Sequence, residues 1–103
     1  EILGTVFIYT DFIIPVEALR QKLTELLKGN RLWDGKVNVL QVTDLKERTM
    51  EIRCLMSCRS SGDAFDLRCF VREEMIKYMQ INFPESFVKT RISIADNSKE
   101  GEK

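Results

Sequence analysis

The chain has 103 residues, 44% hydrophobic and 31% charged, and its sixteen basic and sixteen acidic side chains cancel. That composition fits one ordinary globular domain, long enough to bury roughly 60% of the surface its unfolded chain would expose. Balanced charge without a basic patch argues against nucleic acid or an anionic membrane surface as partner.

No apolar run approaches the ~20 residues that a membrane-spanning helix needs, and nothing near Glu1 reads as a signal peptide. The chain begins without Met and enters a strand almost at once, which reads as a piece of a longer protein. A missing span here therefore says nothing about the parent. Three cysteines and no histidine suggest a reducing, cytosolic setting rather than a disulfide framework. Cys54 and Cys58 lie four apart on one strand face, roughly 13 Å at ~3.3 Å per residue. Pairing requires Cα atoms within about 7 Å. A zinc site would have to use thiolates and carboxylates alone, so the cysteines read as small buried apolar side chains.

Residues 3–10, LGTVFIYT, are rich in β-branched and aromatic side chains and predict a first strand. Pro15 suits a first helical turn, and the spacing predicts a helix over 15–28 with Val16, Leu19, Leu23, Leu26 and Leu27 in one apolar stripe. Glu17 and Lys28 favour the helix dipole, and Gly29 is the expected stop. Ile14 stands where a cap is expected and offers no acceptor. The stretch 29–35, GNRLWDG, is a connection with an Asp34-Gly35 turn signal. Trp33 reads as a lid over the end of the core in preference to a ligand platform.

Residues 36–59 form the organising hairpin, two alternating strands around a polar turn. Met50, Ile52, Cys54 and Met56 share one face of the second strand. The register that sets Leu40 and Val42 against Ile52 and Met50 separates apolar from polar side chains. It also places Gln41 opposite Glu51, Thr43 opposite Thr49 and Asp44 opposite Arg48. Val39 and Leu55 then fall on the outer face, a hint of a further contact surface.

Ser60, Ser61, Gly62 and Asp63 lead into a second helix expected over 63–82, ending before Pro84. Capping is the preferred role of these residues over anion binding. Leu67, Val71, Met75, Ile76 and Met79 form the apolar arc, with Phe65, Cys69 and Phe83 at its edge. Arg68 and Arg72 project beside it. They read first as snorkelling to carboxylates or loop carbonyls, and alternatively as contacts with a neighbouring subunit. Residues 87–94, FVKTRISI, predict a last strand with Val88, Ile92 and Ile94 inward, and 95–103 a disordered tail.

Strand, helix, strand, strand, helix, strand is the order of an α+β, ferredoxin-like split βαβ domain (βαββαβ). Its four-stranded antiparallel sheet carries both helices on one face. That domain would occupy 1–94. The other sheet face would be open. No Ser–His–Asp or Cys–His pair and no phosphate-binding glycine loop occur. Acylphosphatase chemistry is disfavoured because residues 11–14 hold no arginine or glycine. No catalytic, cofactor-binding or metal-binding residue is therefore assigned, and the chain is expected not to be an enzyme.

Five segments carry a family resemblance: Pro15-Val16-Glu17-Ala18-Leu19-Arg20; Leu32-Trp33-Asp34-Gly35; Leu40-Gln41-Val42-Thr43-Asp44; Glu47-Arg48-Thr49-Met50-Glu51-Ile52-Arg53; and Asp66-Leu67-Arg68-Cys69-x-Val71-Arg72-Glu73. Together, over residues 5–91, they resemble the C-terminal cytoplasmic α/β domain of the small-conductance mechanosensitive ion channel family. The resemblance implies a parent protein in the cell (inner) membrane, with upstream helices forming a tension-gated pore and this domain on the cytoplasmic side. It also implies self-association into a ring, typically a heptamer, enclosing a vestibule, while the fragment alone would be a monomer or weak oligomer. Membrane contact would come only through the upstream helices. The family's pore-lining and gating residues lie in those helices, so none is carried over. Ile14 departs from the polar cap expected before Pro15. The alternative is a free-standing ferredoxin-like regulatory module that binds a small ligand or protein partner on its open face.

Overall fold

The computed structural model describes residues 1–87. In order they form β1 (Ile2–Thr10), α1 (Val16–Leu27), β2 (Asn38–Leu45), β3 (Met50–Cys58) and α2 (Ser61–Asn82), followed by a short 3-10 turn, Pro84–Ser86. The strands make one antiparallel sheet in the order β1-β3-β2. The fold is α+β, two helices on a three-stranded sheet. Beyond Phe87 itself, the strand expected over 87–94 and the tail expected over 95–103 lie outside the described residues.

One sheet face and both helices share a single core. Val6 and Ile8 of β1, Leu40 of β2, and Ile52, Cys54 and Met56 of β3 meet Leu19, Leu23 and Leu27 of α1 and Leu67, Val71, Met75 and Met79 of α2. α2 lies mainly over β1, and α1 over β2. The three-and-four spacing of the leucines turns one stripe of α1 inward, as the sequence requires. Val16 and Leu26 flank that stripe, half-buried. Pro15 is the N-cap rather than the first helical residue, because its ψ of 116° is extended. Ile14, expected at the cap, therefore lies one residue before it and is a core residue, 2% exposed. Gly29 ends the helix at φ +75°, a conformation costly to any residue with a Cβ.

Ser60 caps α2, its hydroxyl accepting from the Asp63 amide at 3.1 Å. The helix starts at Ser61, two residues before the expected start. Ile76, placed in the arc by spacing, is only half-buried, whereas Ala64 is buried one turn before Leu67.

The hairpin register differs from the sequence expectation by two residues. Leu40 faces Cys54 and Val42 faces Ile52; Gln41 faces Arg53. A shift of two preserves which face each side chain occupies, so Leu40 is still buried, whereas Val42, expected inward beside it, is 38% exposed. The displacement comes from the turn end. Thr43 is bulged out between Val42 and Asp44, and the turn closes by the Lys46 amide donating to the Thr49 carbonyl at 2.8 Å. The bulge also moves Asp44 opposite Glu51, a like-charge pairing relieved by Lys46, 3.2 Å from the Asp44 carboxylate.

The connection between α1 and β2 is tied to the end of β3 through Ser57. Its hydroxyl donates to the Asp34 carboxylate and accepts from the Val37 amide at 2.7 Å. Trp33 is half-buried over the core and donates through Nε1 to the Val37 carbonyl at 2.9 Å, in the lid position expected for it. Gly35 turns the chain at φ +86°.

The backbone ladder determines which strand edges are left unpaired among the described residues. The Ser57 amide donates to the Val37 carbonyl at 3.2 Å, so the odd-numbered residues of β2 bond to β3. The alternation then turns the N–H and C=O of Asn38, Leu40 and Val42 outward. The same alternation in β3 turns those of Leu3, Thr5, Phe7 and Tyr9 away from β3, toward the other edge of β1. Asp11 comes next in that series, and its amide donates to the Ser86 carbonyl at 2.9 Å.

Candidate interaction surface

The strand alternation that sends Val6, Ile8, Ile52 and Cys54 into the core sends their neighbours to the opposite sheet face. Across that face, the register aligns Thr5 with Leu55 and Val39, Phe7 with Arg53 and Gln41, and Tyr9 with Glu51. Leu3 is 51% exposed, Phe7 46% and Tyr9 55%. Val39 and Leu55 are half-buried beside them. Neither helix covers this face.

The surface has two parts. Leu3, Phe7, Leu55 and Val39 make an apolar half. Toward the hairpin turn, Glu51 accepts from the Tyr9 hydroxyl at 2.9 Å and from the Thr43 hydroxyl at 2.7 Å. Between them, Arg53 Nη2 donates to Gln41 Oε1 at 2.8 Å, while Arg53 Nε is enclosed without a partner among the described residues. The bond to Glu51 is the main reason the Tyr9 phenol is raised above its ordinary pKa, with burial and the Glu51 charge adding to it. Such a face can supply shape, apolar contact and fixed hydrogen bonds to a partner.

The thiols on the core side are unsuited to nucleophilic work, since the thiolate is the reactive form. Burial pushes the Cys54 thiol up to about 12. Cys58 is also raised, chiefly by burial and then by the charges of Asp34 and Asp63. Among the described residues no group of three potential metal ligands comes together and no pocket opens.

Gln41, Glu51 and Arg53 do share the outer face, as expected, and so do Val39 and Leu55. What sequence reasoning missed is the contribution of β1. Its two faces, Gly4-Val6-Ile8-Thr10 and Leu3-Thr5-Phe7-Tyr9, are both largely apolar, so a period of two could not tell them apart. The pairing of β1 with β3 was needed.

Among the described residues Arg68 meets neither a carboxylate nor a carbonyl. Its stem crosses Gly4 of β1, its guanidinium lies 5.7 Å from the Phe65 ring centre, and its Nε has no partner among the described residues. The ring face attracts the cation in the carboxylate's stead. Arg72, one turn on, is exposed. Among the described residues no helix is long and apolar enough to cross a membrane. No protein-family model matches the chain, and no curated protein matches it.

Proposed function

We propose that this chain is the cytoplasmic vestibule and assembly domain of a mechanosensitive ion channel, supporting ion transport without chemistry of its own. The observation that carries this reading is the series of five segments between Pro15 and Glu73, whose order and spacing resemble those of the small-conductance channel family. The uncovered sheet face, with Leu3, Phe7 and Tyr9 exposed in a row, supports it as a surface on which neighbouring domains of a ring could lean.

The proposal includes a ferredoxin-like sheet completed by a fourth strand over 87–94 along β1. The outward amides and carbonyls of Leu3, Thr5, Phe7 and Tyr9, unpaired by any strand of the described residues, provide the edge. The bond from Asp11 to Ser86 brings the chain to the end of that edge, where such a strand would start. Hydrogen exchange tests this part. Truncation after Phe87 should speed exchange of the Thr5 and Phe7 amides and leave those of Val6 and Ile8 slow. Unchanged exchange at Thr5 and Phe7 would remove the fourth strand.

The functional test uses the complete protein that contains this chain. Produced in cells lacking their own tension-gated channels, it should rescue survival of osmotic down-shock and give tension-dependent currents in membrane patches. A complete protein without an apolar span, or one silent under tension up to membrane rupture, overturns the reading. The polar pairs Tyr9–Glu51 and Arg53–Gln41 beside the apolar half favour, as a second reading, a free-standing module that binds a partner or small ligand there. A ligand that raises Tm for the native domain but not for Phe7→Ser/Tyr9→Ser would support it.

A further inference from the structure

We propose that Arg20 guards the edge of β2, which no strand among the described residues pairs with, against pairing with β2 of a second copy of this chain. An edge strand presents a row of unpaired N–H and C=O groups and is a template for strand addition. On β2 that row is Asn38, Leu40 and Val42, whose backbone groups turn away from β3. Leu40 is at its centre.

Arg20, on α1, reaches around the sheet to this position. Its Nε and Nη2 both donate to the Leu40 carbonyl, at 3.2 and 2.9 Å. Its remaining nitrogen, Nη1, is held by the Glu17 carboxylate one turn earlier. One carbonyl thus takes two donors of a guanidinium fixed at its third corner. Nearby, the Asn38 side-chain amide donates to Thr24 Oγ1 at 3.0 Å, so α1 covers the edge at a second point. The bulge at Thr43 distorts the strand just past Val42, and bulges also discourage edge pairing.

The partner such an edge would accept follows from its own geometry. Two copies related by a two-fold axis at Leu40 would set Asn38 of one against Val42 of the other. Outward groups would then meet outward groups, and the two sheets would join edge to edge. An incoming strand needs the Leu40 carbonyl, which the guanidinium occupies. This inference concerns the β2 edge alone and does not rest on the channel reading.

The test compares molar mass by light scattering over a wide concentration range. Arg20→Met keeps the aliphatic stem and removes every donor. It should add a species of twice the wild-type mass that grows with concentration. Adding Val42→Pro, which deletes an outward amide without touching the bonds to β3, should return the mass to the wild-type value. Far-UV circular dichroism establishes folding; should Arg20→Met unfold, Arg20→Gln, which keeps a polar helix-compatible side chain but has no guanidinium to occupy the Leu40 carbonyl, is read in the same way. A merely structural Arg20 would lower Tm and leave the mass alone, and that result overturns the proposal. So does association that persists in Arg20→Met/Val42→Pro, because it would run through another surface.

Discussion

Replacing Ser57 by alanine tests how the connection before β2 is held to the sheet. Ser57 has no exposed surface, and its hydroxyl serves two partners, the Val37 amide at 2.7 Å and the Asp34 carboxylate. Alanine fits the same space, so the loss is that of the hydrogen bonds and not of packing. A buried donor left without an acceptor costs about 1–3 kcal/mol. Val37 is half-buried, so water reaches part of the site and the lower half of that range applies, about 1–2 kcal/mol. For a domain of this size the fall in Tm is roughly 5–15 °C. Urea unfolding should show a lower midpoint at unchanged slope, and the Val37 amide should exchange faster. A variant with the wild-type midpoint and a protected Val37 amide would refute the reasoning. The same substitution has a pH signature. The Asp34 carboxyl is held below its ordinary value first by the Ser57 hydroxyl, with the Lys36 amide and the charges of Lys36 and Arg59 helping against burial. A depressed folded-state pKa means stability that is present above the unfolded value, near 4, and lost as pH falls through the lower folded value. Without Ser57 the largest cause is gone. The loss of stability below about pH 4 should therefore be shallower in Ser57→Ala than in the wild type, each measured relative to its own neutral stability.

A Cβ on Gly4 would lie 3.3 Å from Arg68 Cγ and 3.6 Å from the Ala64 carbonyl. Gly4→Val should then cost about 1–3 kcal/mol by overpacking, and less in an Arg68→Ala background, a coupling read from thermal unfolding of the four proteins. Equal costs in both backgrounds would mean that the Arg68 stem is not the obstacle. Ser60→Ala should lower stability by about 1 kcal/mol through loss of the α2 cap; an unchanged urea midpoint would show that the 3.1 Å bond to Asp63 contributes nothing. With its thiol pushed up to about 12 by burial, Cys54 should resist alkylation at pH 8 until urea unfolds the chain. Peptide mass spectrometry showing native-state labelling as fast as in urea would contradict this.

Much of the core was legible because helical and strand periods leave clear marks. Leu19, Leu23 and Leu27 in α1, and Met50, Ile52, Cys54 and Met56 in β3, are buried where spacing places them. The hairpin register was not legible, because segregating apolar from polar fixes only the parity of a pairing and leaves shifts of two open. The bulge at Thr43 and the closure of Lys46 on Thr49 chose among them. Ile14 shows another limit: it was read as the helix cap, whereas the helix starts one residue later, with Pro15 as N-cap, and Ile14 is a core residue. The same applies to the open face. Val39 and Leu55 were marked by the hairpin pattern, but Phe7 and Tyr9 were hidden in a strand apolar on both sides.

The sequence by itself determined the order of the three strands and two α-helices over residues 1–87 and most of the inward stripe of each helix. These depend on local spacing, turn residues and the aversion of apolar groups to water. Only the tertiary structure decided which face of β1 is open, where the hairpin strands meet, that Ser57 joins Asp34 to Val37, and that Arg20 reaches the Leu40 carbonyl. Each of these depends on groups far apart in the chain, brought together by strand pairing and by helix packing across the sheet. Local sequence period does not encode such distances.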